Sequence, residues 1–128
     1  MKTFIATLLV IFSITVAAQT PESLTRGVKS YTKSLKSDNV GIVESAVFHI
    51  AKLKLLFPEE ETGAALAELE NLSESGASES IRFKAYLATQ VLEFPENFST
   101  LEKKNYKDAE AFFLMISTEL QKKLLVNR

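Results

Sequence analysis

Three prolines, Pro21, Pro58 and Pro95, stand 37 residues apart, and each is followed by glutamate. A period of this length marks stacked supersecondary units, each too small to bury its apolar face without a neighbour. The agreement extends past proline. Phe57-Pro58-Glu59 matches Phe94-Pro95-Glu96, and at the same offset Ile50 aligns with Leu87, Ala51 with Ala88 and Leu55 with Leu92. The frame divides the chain into units 20–56, 57–93 and 94–128.

Each unit reads as two helices. Proline suits the first helical position, where its missing N–H costs nothing, and the adjacent glutamate complements the helix dipole. Thr20 is the expected N-cap of the first helix, in which Leu24, Val28, Tyr31 and Leu35 follow helical spacing. The corresponding helix of the second unit is expected to start at Pro58, with Glu59, Glu60 and Glu61 in its first turn, and to run through Ala65, Leu66, Leu69 and Leu72. Polar connectors, Ser37-Asp38-Asn39 and 73–78, then lead to apolar runs headed by Val43 and Ile81. An offset of 38 gives the best phase match between those runs, pairing Val43 with Ile81, Val47 with Ala85 and Ile50 with Ala88. Past Pro95 a polar stretch extends to Lys107, and Ala109, Phe112, Phe113, Ile116, Leu120 and Leu124 make a final amphipathic helix. No alternating strand pattern of useful length occurs. The expectation is an all-α chain of about five helices in antiparallel pairs.

The Ser37-Asp38-Asn39-Val40 connector before Val43-x-x-Ala46, and the run Ile81-Arg82-x-x-Ala85-x-x-Ala88, resemble degenerate HEAT or armadillo-type repeats. In that family a polar connector carrying Asp precedes a Val-Arg-x-x-Ala helix, and Arg82 stands where the family often has Arg. The resemblance implies a short α-solenoid that presents a surface to partners. It implies no catalytic residues.

Residues 1–18 are read apart from the fold. Lys2 precedes a nearly unbroken apolar stretch from Phe4 to Phe12, and Val16-Ala17-Ala18 places small or modest residues before Gln19. This is the pattern of a secretory signal peptide cleaved after Ala18, leaving residues 19–128 as a single domain. The apolar stretch is shorter than the ~20 residues that span a bilayer, so no stable membrane insertion is expected after its removal. The chain has no cysteine, which excludes a disulfide framework, a thiolate nucleophile and zinc-finger spacing. An exported domain without disulfides points to a bacterial periplasm or secreted fraction. A net charge of -1 offers no general attraction for nucleic acid.

Residues able to carry chemistry are few. His49 is the single histidine, too little for a metal site and without a partner nucleophile in a strained elbow motif. Residues 57–80 hold seven acidic residues and no basic one, read as a solvated face with dipole compensation at Glu59, Glu60 and Glu61. Arg26, Lys29, Lys33 and Lys36 lie at helical spacing on the first helix, and opposite charge on neighbouring units would set their stacking register. These eight residues, with Arg82 among them, are the candidate interaction surface. No catalytic, metal or cofactor site is assigned. The resulting expectation is a non-enzymatic exported scaffold or adaptor that binds protein, with the end faces of a short stack favouring self-association. The alternative is a small carrier holding an apolar ligand between the first and last helices, lined by Phe48, Tyr86, Phe112 and Phe113.

Overall fold

The computed structural model describes residues 21–126. The expected signal peptide, its cleavage point and the Thr20 cap lie outside these residues. Five α-helices follow in order: α1 (Pro21–Ser34), α2 (Val40–Leu56), α3 (Gly63–Ser75), α4 (Glu79–Glu93) and α5 (Ala109–Val126). Two short 3-10 segments, Pro95–Phe98 and Lys103–Lys107, lie between α4 and α5. The described residues contain no strand and are all-α.

The helix starts are set by polar side chains at the connectors. Asn39 accepts the Ile42 amide on its Oδ1 at 3.1 Å, while the Ser37 hydroxyl accepts the Asn39 amide at 3.0 Å. Ser78 caps α4 in the same way, its Oγ accepting from the Ile81 amide at 3.1 Å. Asp108 receives the Glu110 amide at 3.0 Å and so opens α5. Each of these side chains satisfies a backbone donor that the first helical turn leaves without an intrahelical acceptor.

The three prolines do not share one role. Pro95 opens the first 3-10 segment, while Pro21 stands at the edge of the described residues, so its expected place as the first helical residue falls with the Thr20 cap outside them. Pro58 instead follows the end of α2, and α3 begins five residues later, at Gly63. The reason lies in the residue before it. Proline drives its predecessor out of the helical region, and Phe57 takes φ -135 and ψ 73 while its amide still reaches the Leu53 carbonyl at 2.8 Å. Glu59–Glu61 therefore belong to the turn and not to the first turn of α3. The Glu60 amide bonds the Phe57 carbonyl at 3.0 Å, and Lys54 Nζ donates to the Glu60 carbonyl at 2.7 Å. Phe94 repeats the exit, with φ -132, ψ 58 and its amide on the Gln90 carbonyl at 2.9 Å. Phe-Pro-Glu is thus a shared way of leaving α2 and α4.

Between those exits the two helices bury equivalent positions. Val43, Val47 and Ile50 of α2 and Ile81, Ala85 and Ala88 of α4 are all buried, which matches the offset of 38. The N-caps Asn39 and Ser78 differ by 39 and the exits by 37, because α4 is two residues shorter than α2. α4 is central: it packs on α3, α2, α5 and the first 3-10 segment, while α1 packs on α2 and α3. Ala46, Ala51, Ala65, Ala85 and Ala88 are almost completely buried, and small side chains at these contacts bring the helix axes close. The α3–α4 connector is tight as well. A Cβ on Gly76 would meet the Leu72 carbonyl oxygen at 2.7 Å and Ile81 Cγ2 at 2.9 Å.

Candidate functional site

The charged candidates fall into two groups. Arg26, Lys29 and Lys33 are exposed on α1, and Glu59 is exposed in the α2–α3 turn. The others are engaged within the chain. Lys36 Nζ lies 3.6 Å from Glu68 Oε1 on α3, and Thr25 of α1 donates its hydroxyl to Glu60 Oε1 at 3.0 Å. Lys36 lies past the end of α1, so opposite charges meet between the α1–α2 connector and α3, although an exposed pair of this kind contributes only about 0–1 kcal/mol. Glu61 accepts the Gly63 amide at 2.7 Å, so it compensates the start of α3 from outside the helix. Arg82 donates from Nη1 to the Gly76 carbonyl at 2.8 Å and holds the α3–α4 connector at the other end of α3. Lys29, Glu60 and Glu61 thus come together between α1 and the start of α3, and Arg82 stands at the opposite end of that helix.

A groove of about 300 Å³ runs between α1 and the start of α3. Val28 and Ala65, both buried, form its floor, with Thr25, Thr32 and Lys29 on one wall and 60–64 on the other. The sequence reading placed the ligand cleft elsewhere, and the aromatic residues chosen for it separate. Phe48 meets Phe112 at 5.3 Å and Phe113 at 6.3 Å between centroids, both edge to face, and Phe112 meets Tyr106 edge to face at 5.4 Å. These rings fill the space between α2 and α5. Tyr86 is outside the cluster and 42% exposed. Phe48 and Phe113 do border a surface groove of about 260 Å³ with Lys84 and Glu110, whose side chains pair at 2.7 Å; Tyr86 and Phe112 do not line it.

His49 uses both of its neighbours for packing. Its ring stacks on Tyr31 at 5.2 Å with an interplanar angle of 17°, and lies 5.1 Å from Phe48. Burial, with Lys52 acting in the same direction, lowers its pKa from 6.5, so the imidazole is neutral at pH 7. Tyr106, buried against Phe112, has its phenol pKa raised by desolvation. Among the described residues, no group of three or more His, Cys, Asp or Glu side chains is placed to hold a metal ion. None of the described helices is long and apolar enough to cross a membrane.

The most conspicuous surface feature is one that sequence reasoning missed. Phe83 is 53% exposed, and Tyr86 and Phe94 are each 42% exposed. At 3.6 residues per turn, Phe83, Tyr86 and Gln90 share one sector of α4, away from the buried Ile81, Ala85, Ala88 and Leu92, and Phe94 stands at the cap that ends the helix. The signal was available as two aromatic residues three apart on a helix that already had a complete apolar face, with a third at the cap that ends it. Isolated exposed apolar residues are ordinary, whereas these three lie close together along α4 and its cap. A second exposed set, Leu124, Leu125 and Val126, lies in the last turns of α5. No family model, curated protein or solved structure matches this chain.

Proposed function

We propose that the chain is a short α-solenoid of HEAT-like units, exported from a bacterial cell, that works as a non-enzymatic adaptor through protein–protein contacts. The observation that carries this reading is the aromatic stripe of α4, with Phe83, Tyr86 and, at the cap, Phe94 held outward on a helix whose other sides are packed. The order of contacts supports the solenoid part. α1 packs on α3 and α2 on α4, the contacts that two stacked antiparallel hairpins make, and Phe57 and Phe94 close the second helix of each hairpin in the same conformation. Aromatic residues supply contact area at low entropic cost, which suits them to a binding face.

The test is to place a photo-crosslinking residue at Gln90, between the aromatic residues, and recover adducts from the native compartment. The adaptor reading expects a discrete set of protein adducts that Phe83→Glu abolishes while the helical circular dichroism is unchanged. Adducts unaffected by Phe83→Glu, or none, would refute it.

A second reading, a small carrier of an apolar ligand, is favoured by the α1–α3 groove with its floor of Val28 and Ala65. Native mass spectrometry of freshly purified protein would show a bound small molecule that Ala65→Phe displaces. Protein free of any adduct would rule this reading out.

A further inference from the structure

We propose that the partner of the α4 stripe is a second copy of this chain, paired with the first through antiparallel α4 helices about a two-fold axis. This rests on the adaptor reading and names the partner of the same surface.

The structure itself shows what this face takes in the preceding unit. At the offset of 38 that pairs Val43 with Ile81, Tyr86 is the counterpart of Phe48. Phe48 is 7% exposed because Phe112 and Phe113 of α5 cover it; Tyr86 remains 42% exposed. The fitting occupant is therefore a helix that presents aromatic side chains. Phe112 and Phe113 are already buried within the chain, whereas α4 of another copy carries its aromatic residues outward.

Charge selects the orientation. Arg82 and Glu93 lie on the same flank of the stripe, eleven residues or about three turns apart. A two-fold axis perpendicular to α4 places that flank of one copy beside the same flank of the other. Arg82 then faces Glu93 of the second copy at one end, and Glu93 faces its Arg82 at the other. Phe83 comes to lie by Phe94 of the second copy, and Tyr86 by its Gln90. The surface is self-complementary in the sense that a two-fold contact requires. A parallel two-fold arrangement would instead carry the two copies of that flank to opposite sides of the contact, leaving Arg82 and Glu93 without each other. Arg82 keeps its Nη1 bond to the Gly76 carbonyl, which fixes the guanidinium while its remaining donors stay available to a carboxylate.

Analytical ultracentrifugation of the chain across a concentration series tests the pairing, with circular dichroism on every variant. The wild type is expected to form a reversible dimer. Tyr86→Glu should weaken it about tenfold or more, as removal of a central aromatic anchor does. Glu93→Arg should weaken it through repulsion with Arg82, and the double change Arg82→Glu with Glu93→Arg should restore it. Because the double variant gives up the Gly76 bond, a second measurement stands beside it. With no native cysteine, Gln90→Cys should give a covalent dimer with a short bifunctional maleimide, and Ser30→Cys on α1 should not. A strictly monomeric wild type, a dimer indifferent to Tyr86→Glu, or equal crosslinking at both cysteines would overturn the proposal. A monomer whose stripe still captures a different protein overturns the self-pairing alone. A monomer that captures none overturns the adaptor reading as well.

Discussion

Replacing Phe112 by alanine removes a fully buried ring that sits at the junction of three others. Its centroid lies 5.3 Å from Phe48, 5.4 Å from Tyr106 and 5.3 Å from Phe113. Core Phe→Ala changes cost about 3–5 kcal/mol, as the lost transfer energy adds to the cavity left behind. The upper part of that range applies here, because the three edge-to-face contacts disappear with the ring. Domains of this size have total stabilities of about 5–15 kcal/mol, so the loss is a large fraction of the whole. Urea unfolding followed by far-UV circular dichroism should show a midpoint lower by on the order of 2 M with an unchanged slope. Phe83→Ala is the matched control: the same atoms are deleted from a 53% exposed site, and the expected cost is within about 0.5 kcal/mol. Both belong at a protein concentration low enough to keep the chain monomeric, since dimerisation would add to apparent stability. Should Phe112→Ala cost under about 1 kcal/mol, or Phe83→Ala cost more than Phe112→Ala, the seating of α5 on α2 described above would be refuted.

Asn39→Ala and Ser78→Ala each remove one N-cap acceptor and should destabilise by about 1 kcal/mol in thermal or urea unfolding. Gly76→Ala puts a Cβ 2.7 Å from the Leu72 carbonyl oxygen; the connector must shift, at a cost of about 1–3 kcal/mol in the same assay. His49 should make stability fall on mild acidification. Its folded pKa is depressed, so the unfolded chain binds the proton more readily; the contribution is full above the unfolded value of 6.5 and is lost as pH falls through the folded value. His49→Gln should flatten the stability profile just below pH 6.5, and an unchanged profile would remove His49 as its source.

Much of the helical layout was legible because packing and capping chemistry are local. Asn39 and Ser78 stand immediately before apolar runs, and a polar side chain there has a backbone donor to satisfy in a helix and little use elsewhere. The buried faces of α2 and α4 followed from spacing for the same reason, since Val43, Val47 and Ile50 share a side only in a helix. The start of α3 was misread because proline has two uses at a helix boundary. It tolerates the first helical position, and it also ends the helix before it by displacing its predecessor. Pro58 takes the second role, and the residue types around it do not distinguish the two. The second role follows because Phe57 caps a seventeen-residue helix that ends at Leu56, so the chain must turn before it can pack α3 on α1.

The aromatic stripe was hidden by a different limit. Periodicity reports that Ile81, Ala85, Ala88 and Leu92 lie on one sector of α4 and Phe83, Tyr86 and Gln90 on another. It cannot report which sector has a neighbour. That is decided by the third unit, where Pro95–Phe98 and Lys103–Lys107 replace a regular helix before α5. Phe98 and Tyr106, from these two 3-10 segments, are both buried, and Tyr106 contacts Phe112. These contacts anchor the linking segment beside α5, where Phe112 and Phe113 cover Phe48 of α2. A helix that continued the stack past α4 would have covered Tyr86 instead. The departure of the third unit from the repeat therefore has two linked results: it completes the core around Phe112, and it leaves the outer sector of α4 open with its aromatic residues in place. A chain that had lost use for that sector would tolerate polar residues at 83, 86 and 94 at no cost to the core. This makes triple replacement by Ser, Gln and Ser the informative variant: unfolding should be unchanged for the monomer, and self-association should be lost.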